Sequence, residues 1–92
     1  MRDMNTYNGW KNYATWRINL ELIDGTSLSD IGIWYEKDSS SDSVYQVGRQ
    51  LRDYVEQYII DTTPEGVGRD YALAFVDQVD YDEIAQHMIE EA

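Results

Sequence analysis

A mainly α-helical single domain is predicted for residues 1–92, built of four to five short packed helices. A short strand or hairpin within residues 16–37 is the one alternative. Three observations lead there. An apolar fraction of 42%, with 13% aromatics, supplies large side chains that disordered chains lack. Ninety-two residues suit one modest core and not two. In the second half, apolar residues recur every three or four positions, the period of a helix face. No internal repeat or Pro/Gly-rich linker divides the chain.

The first element is drawn two ways by the sequence. Tyr13, Trp16, Leu20 and Ile23 fit one helix face, with Asn12 as a cap and Asp24-Gly25 as a stop. Trp16, Ile18, Leu20 and Leu22 also alternate with Arg17, Asn19 and Glu21, as in a half-buried strand. The start and stop signals favour the helix. Residues 27–37 read as a short helix or a strand, and periodicity does not decide. Residues 38–43, rich in serine, read as an exposed loop.

The second half is clearer. Val44, Val47, Leu51, Val55 and Tyr58 with Ile59 form one face of a helix that Ser43 and Gln46 would open as a capping box. Arg49–Asp53 and Arg52–Glu56 are i,i+4 pairs on its solvated side. At Thr62-Thr63-Pro64-Glu65 that helix breaks and another starts, with Thr63 as cap, Pro64 in the first helical position and Glu65 at the positive end of the dipole. Val67, Tyr71, Ala74, Phe75 and Val79 give its apolar stripe. Asp80 and Glu83 repeat the capping-box spacing ahead of a last helix that turns Ile84, Ala85, Met88 and Ile89 inward. Short connections predict antiparallel packing of these helices.

Charge is the most lopsided property of the chain. From Asp53 to Ala92 eleven carboxylates face one permanent cation, Arg69, a net of −10 out of −11. Such a field repels nucleic acid and anionic membranes and draws basic surfaces, over a range set by salt. Carboxylates three or four apart on a helix stand roughly 5–6 Å apart, close to the phosphate spacing along a strand. A rigid array of that kind would compete for a surface that holds DNA through Lys and Arg. Solubility alone would also explain the acids; adaptation to high salt would too, but it would spread them over the whole surface.

Little points to catalysis. There is no cysteine, Gly-rich phosphate loop, zinc-ligand spacing or Ser/His/Asp arrangement. His87, the one histidine, stands four residues after Glu83 and reads as a surface ion pair. Asp77, Asp80, Asp82 and Glu83 cluster without the loop of a calcium site. The expectation is a non-enzyme without metal or cofactor. No run approaches the roughly 18 apolar residues of a membrane span, and Met1–Asn5 lacks a signal-peptide apolar stretch.

The segment Tyr7-Asn8-Gly9-Trp10-Lys11-Asn12-Tyr13-Ala14-Thr15-Trp16 resembles the opening of a group of small phage and mobile-element proteins, whose signature is Asn-Gly-Trp-x-Asn-Tyr-x-Thr-Trp. Asp80-Tyr81-Asp82-Glu83-Ile84-Ala85 is similar to the Asp-Trp-x-Glu-Ile-Ala stretch that closes such proteins, with Tyr81 in place of the tryptophan. The resemblance implies a small accessory gene of a phage or similar element. By analogy of class, such genes include acidic inhibitors of host defence, of anti-CRISPR and anti-restriction type.

The reading that combines charge and resemblance is a non-enzymatic inhibitor acting in the host cytoplasm. Asp61, Glu65, Asp70, Asp77, Asp80, Asp82, Glu83, Glu90 and Glu91 would occupy a basic, nucleic-acid-binding surface of a host defence protein, with no direct binding of nucleic acid or membrane. The alternative is an adaptor that binds a protein partner through Trp10, Tyr13 and Trp16, its acids serving solubility or salt adaptation. In the structural account of those three aromatics, they anchor the first element to the core. Oligomeric state is left open by the sequence.

Overall fold

A computed structural model describes residues 7–35 and 41–91, the side chains of Ser41 and Glu91 excepted. The fold is mainly α-helical and forms one small domain; no strand occurs among the described residues. Helix α1 spans Tyr13–Ile18 and runs into a π-helical turn, Asn19–Ile23. Then come α2 (Ser41–Thr62), α3 (Val67–Val76) and α4 (Tyr81–Glu91).

The contested first element is a helix. Asn12 caps it, its side chain accepting a hydrogen bond from the Thr15 amide at 2.8 Å. Its inward face is not the one the aromatics suggest. Ala14, Thr15 and Ile18 are buried, whereas Tyr13 and Leu20 are exposed. The π turn explains the pattern. An i→i+5 repeat places Ile23 on the same side as Ile18, where a regular helix would rotate it away. Arg17 pairs with Glu21 at 2.9 Å on the outside, which holds the Glu21 carboxyl below the usual carboxylate range.

Residues 24–35 form neither helix nor strand. Ser27 and Asp30 bond each other's backbone, and the Ile33 amide donates to the Leu28 carbonyl at 2.9 Å. Side-chain bonds of this kind compete with regular secondary structure. Leu28 and Ile33 are buried and anchor the segment.

Helix α2 starts earlier than its apolar period indicates. Ser41, Asp42 and Ser43 are helical and Ser43 is buried, so Ser43 is not a cap and the exposed-loop reading fails there; residues 38–40 lie outside the described residues. Val47, Leu51 and Val55 are fully buried, as the period predicts, although Tyr58 is exposed. Arg52 pairs with Glu56 at 3.1 Å. Arg49 makes no ion pair with Asp53 among the described residues and lies 5.7 Å over the Tyr45 ring instead.

The α2–α3 corner departs from the expected capping. Thr63 belongs to the end of α2, donating its hydroxyl and amide to the Ile59 carbonyl at 2.6 and 3.1 Å. Pro64 and Glu65 therefore fall in the turn, and Gly66, with φ of +141°, precedes α3. The expected α3 stripe holds at Phe75, packed against the core, and at buried Val79, but fails at Val67, Tyr71 and Ala74. Val76 is buried and Leu73 partly so, while Val67 and Tyr71 are 65% and 74% exposed. Two short turns fix the helix's orientation, and its period alone cannot.

Helix α4 behaves as its sequence predicts at the core, with Ile84 and Ala85 buried and Met88 and Ile89 packed against them. It packs chiefly on α2, with Asp82 lying against Gly48. A Cβ added there would collide with the Asp82 carboxylate and stand 3.5 Å from the Asp82 amide nitrogen. Gly48→Ile is expected to force the helices apart and cost about 1–3 kcal/mol in chemical denaturation. A stability unchanged by that substitution would contradict the close approach.

Tyr81, at the start of α4, is buried and donates its hydroxyl to the Val76 carbonyl at 2.8 Å. Burial, aided by the nearby Glu56 charge, pushes this phenol above its ordinary value of about 10. The folded protein therefore holds the proton where the unfolded chain releases it. Stability from this group is complete below about pH 10 and falls as pH rises further. Melting curves between pH 8 and 12 should show the decline, and Tyr81→Phe should flatten it.

Candidate functional site

The opening and closing motifs meet in space. Asn8 (φ +48°) and Gly9 (φ +88°) form a tight turn with both central residues left-handed, and Tyr7 and Trp10 exchange backbone hydrogen bonds of 2.6 and 2.7 Å across it. That turn delivers Trp10 onto His87 of α4, ring centroids 4.4 Å apart. Tyr7 meets Tyr13 edge to face at 5.1 Å and Trp16 at a tilt at 4.9 Å. Tyr13 also meets Phe75 of α3 at 6.1 Å. All three aromatics of the front motif thus make intrachain ring contacts. His87 packs on Trp10, and the partner expected for it, Glu83, is taken by Lys11.

Thr15 is the polar link between the motifs. Fully buried, it donates its hydroxyl to Asn12 Oδ1 at 2.7 Å and accepts the Asp80 amide at 2.8 Å. Asn12 Nδ2 donates to the Gln78 carbonyl at 3.0 Å. Asp80 Oδ1 accepts the Glu83 amide at 3.1 Å, so half of the expected capping box forms. Its other half is replaced. The Asp80 amide goes to Thr15, and Glu83 Oε1 accepts the Lys11 amide at 2.9 Å.

The nine acids singled out from the sequence do not form one array. Asp77, Asp80, Asp82 and Glu83 gather at the α3–α4 connection. Positive charge already meets two of them there: Arg52 pairs with Asp77 at 2.9 Å, and Lys11 with Asp80 at 3.8 Å. Asp77, Asp80 and Asp82 border an open, mixed-charge depression of about 1000 Å³ that also holds Lys11, Arg49 and Arg52. Asp70 lies in the first turn of α3, about 10 Å from Asp77 along the axis, with Glu65 in the preceding turn and Asp61 at the end of α2. That distance exceeds the screening length of roughly 8 Å in physiological salt. Glu90 lies near the far end of α4, accepting from Gln86 Nε2 at 2.7 Å, and the Glu91 side chain lies outside the described residues.

The two ends of α3 differ in how their charge is met. Arg69, the one cation after Arg52, donates Nη2 to the carbonyls of Ile60 and Thr63 at 2.9 and 2.6 Å. It satisfies orphan carbonyls at the C-terminal end of α2, where a cation also suits the dipole. Among the described residues Asp61, Glu65 and Asp70 therefore make no ion pair; Asp61 accepts from Gln57 Nε2 at 2.8 Å. Exposed Val67 stands between them in the chain, and exposed Tyr58, Ile60 and Tyr71 flank them. Those apolar neighbours were not singled out by the sequence, because the α3 stripe assigned Val67 and Tyr71 to the core.

Among the described residues no helix is long and apolar enough to cross a membrane, and no three acidic or imidazole side chains converge as a metal site would require. No family profile, curated protein or solved structure matches the chain.

Proposed function

We propose that this chain is a non-catalytic inhibitor from a phage or mobile element. It acts in the host cytoplasm by covering a basic, nucleic-acid-binding surface of a host defence protein. The observation that carries the reading is the net-negative α2–α3 corner. Among the described residues Asp61, Glu65 and Asp70 make no ion pair there, beside exposed Tyr71 and Val67, and the corner's single cation, Arg69, is bonded to backbone carbonyls. Unpaired carboxylates supply long-range attraction to Lys and Arg, and exposed tyrosine supplies contact area once the surfaces meet. The α3–α4 acids contribute less, because Lys11 and Arg52 already compensate Asp80 and Asp77. The adaptor alternative draws no support from the front motif, whose aromatics contact one another, Phe75 and His87.

Immobilised protein should capture nucleic-acid-binding proteins from host lysate, and added salt or duplex DNA should release them. Captured partners that lack nucleic-acid-binding activity, or release that ignores both competitors, would overturn the reading.

A further inference from the structure

A groove runs between α2 and residues 31–35, in two stretches of about 520 and 460 Å³ that share Gln50 and Asp53. Ile31, Tyr54 and Tyr58 supply its apolar wall and Asp53 and Asp61 its negative charge, while Arg49 lines the stretch beside Trp34, leaving the groove net negative. Neither carboxylate makes an ion pair among the described residues. Eight residues apart on α2, they stand about 12 Å apart along the axis.

At one end the groove carries Trp34, 69% exposed. Its backbone is pinned by the Gln50 amide, which accepts the Trp34 N–H at 3.2 Å and donates to its carbonyl at 2.7 Å. Gln50 is braced in turn by the Gln46 carbonyl at 3.1 Å. An indole on a fixed backbone loses little freedom on binding, and tryptophan is a frequent interface anchor.

We infer that this groove docks an extended, basic segment of a protein partner, with two Lys or Arg side chains flanking one aliphatic side chain. The proposal rests on the function proposed above and adds a second contact to it. Charge selects the occupant. A second copy of the chain brings the same net −11 and nucleic acid brings phosphates, so both are repelled. Spacing selects the pattern. In an extended segment, residues i and i+4 lie about 13 Å apart on one face, with i+2 between them on that face. A Lys-Ser-Leu-Ser-Lys sequence thus matches the separation of Asp53 and Asp61 while aiming leucine at the apolar wall.

A capped peptide containing Lys-Ser-Leu-Ser-Lys, titrated into isotopically labelled protein, tests this by NMR. The Gln50 side-chain amide and the Trp34 indole resonances should shift together. Asp53→Asn and Trp34→Ala should each weaken binding about fivefold or more. Both positions are exposed, so the variants should fold, which their spectra report. Equal affinity of a Lys-Ser-Ser-Ser-Lys peptide would reduce the effect to general attraction and overturn the proposal. So would indifference to Asp53→Asn, or the same resonance shifts on adding a thymidine oligonucleotide. If the peptide leaves the groove untouched while lysate capture still depends on Glu65 and Asp70, the groove fails and the proposed function stands. If the peptide binds and capture does not occur, the proposed function fails instead.

Discussion

Thr15→Val is expected to lower the melting temperature by roughly 10–20 °C, the largest loss of stability from one side chain of nearly unchanged size. The hydroxyl it removes is fully buried and serves two partners, Asn12 Oδ1 and the Asp80 amide. Valine leaves the Asp80 N–H without its acceptor in a part-buried site. One unsatisfied buried donor costs about 1–3 kcal/mol, and the loss of the Asn12 bond adds to it. A total of about 2–3 kcal/mol is a large fraction of the stability of so small a domain. Thr15→Ser keeps the hydroxyl and should recover most of the loss. If valine and serine melt alike, hydrogen bonding is not what joins the two motifs.

The second large effect concerns binding. Replacing Asp61, Glu65 and Asp70 together by lysine should weaken capture of the basic partner about 100-fold and leave the fold intact. Each site is exposed, and reversal both removes an attraction and adds a repulsion. At about 1 kcal/mol per site, three sites give about 3 kcal/mol, a factor of roughly 100. The residual binding should also depend less steeply on salt. Replacing Asp77 and Asp80 by lysine should act differently, because it breaks the Arg52 pair and the α4 cap. That variant should melt lower, by about 1 kcal/mol for the cap alone. If it abolishes capture while the corner variant binds normally, the recognition surface lies at the α3–α4 connection.

Some of this was legible in the sequence, and the legible parts share a character. The Asn12 cap, the Asp80 cap and the buried Val47, Leu51 and Val55 each depend on residues within a few positions of one another. What was misread depends on distant partners. The α3 stripe places Tyr71 inward by period, yet the turn at Gly66 and the packing on α2 bring Leu73 and Val76 to the core. His87 has a correctly spaced Glu83, but the Lys11 amide claims that carboxylate and Trp10 covers the ring. The acidic half reads as one field because charge counts ignore where cations return. Arg52 reaches forward 25 residues to Asp77, while Arg69 turns to the end of α2.

The sequence by itself determined that the chain is helical, where its first and last helices begin, and that negative charge dominates its second half. Hydrophobic period, caps and composition act over one or two turns, so a single strand of text records them. Tertiary structure decided which carboxylates form ion pairs, which aromatics face solvent, and that Thr15 ties the first helix to the last. Those outcomes follow from pairing across 25 to 65 residues, with low-dielectric burial at Thr15 making its bonds costly to break.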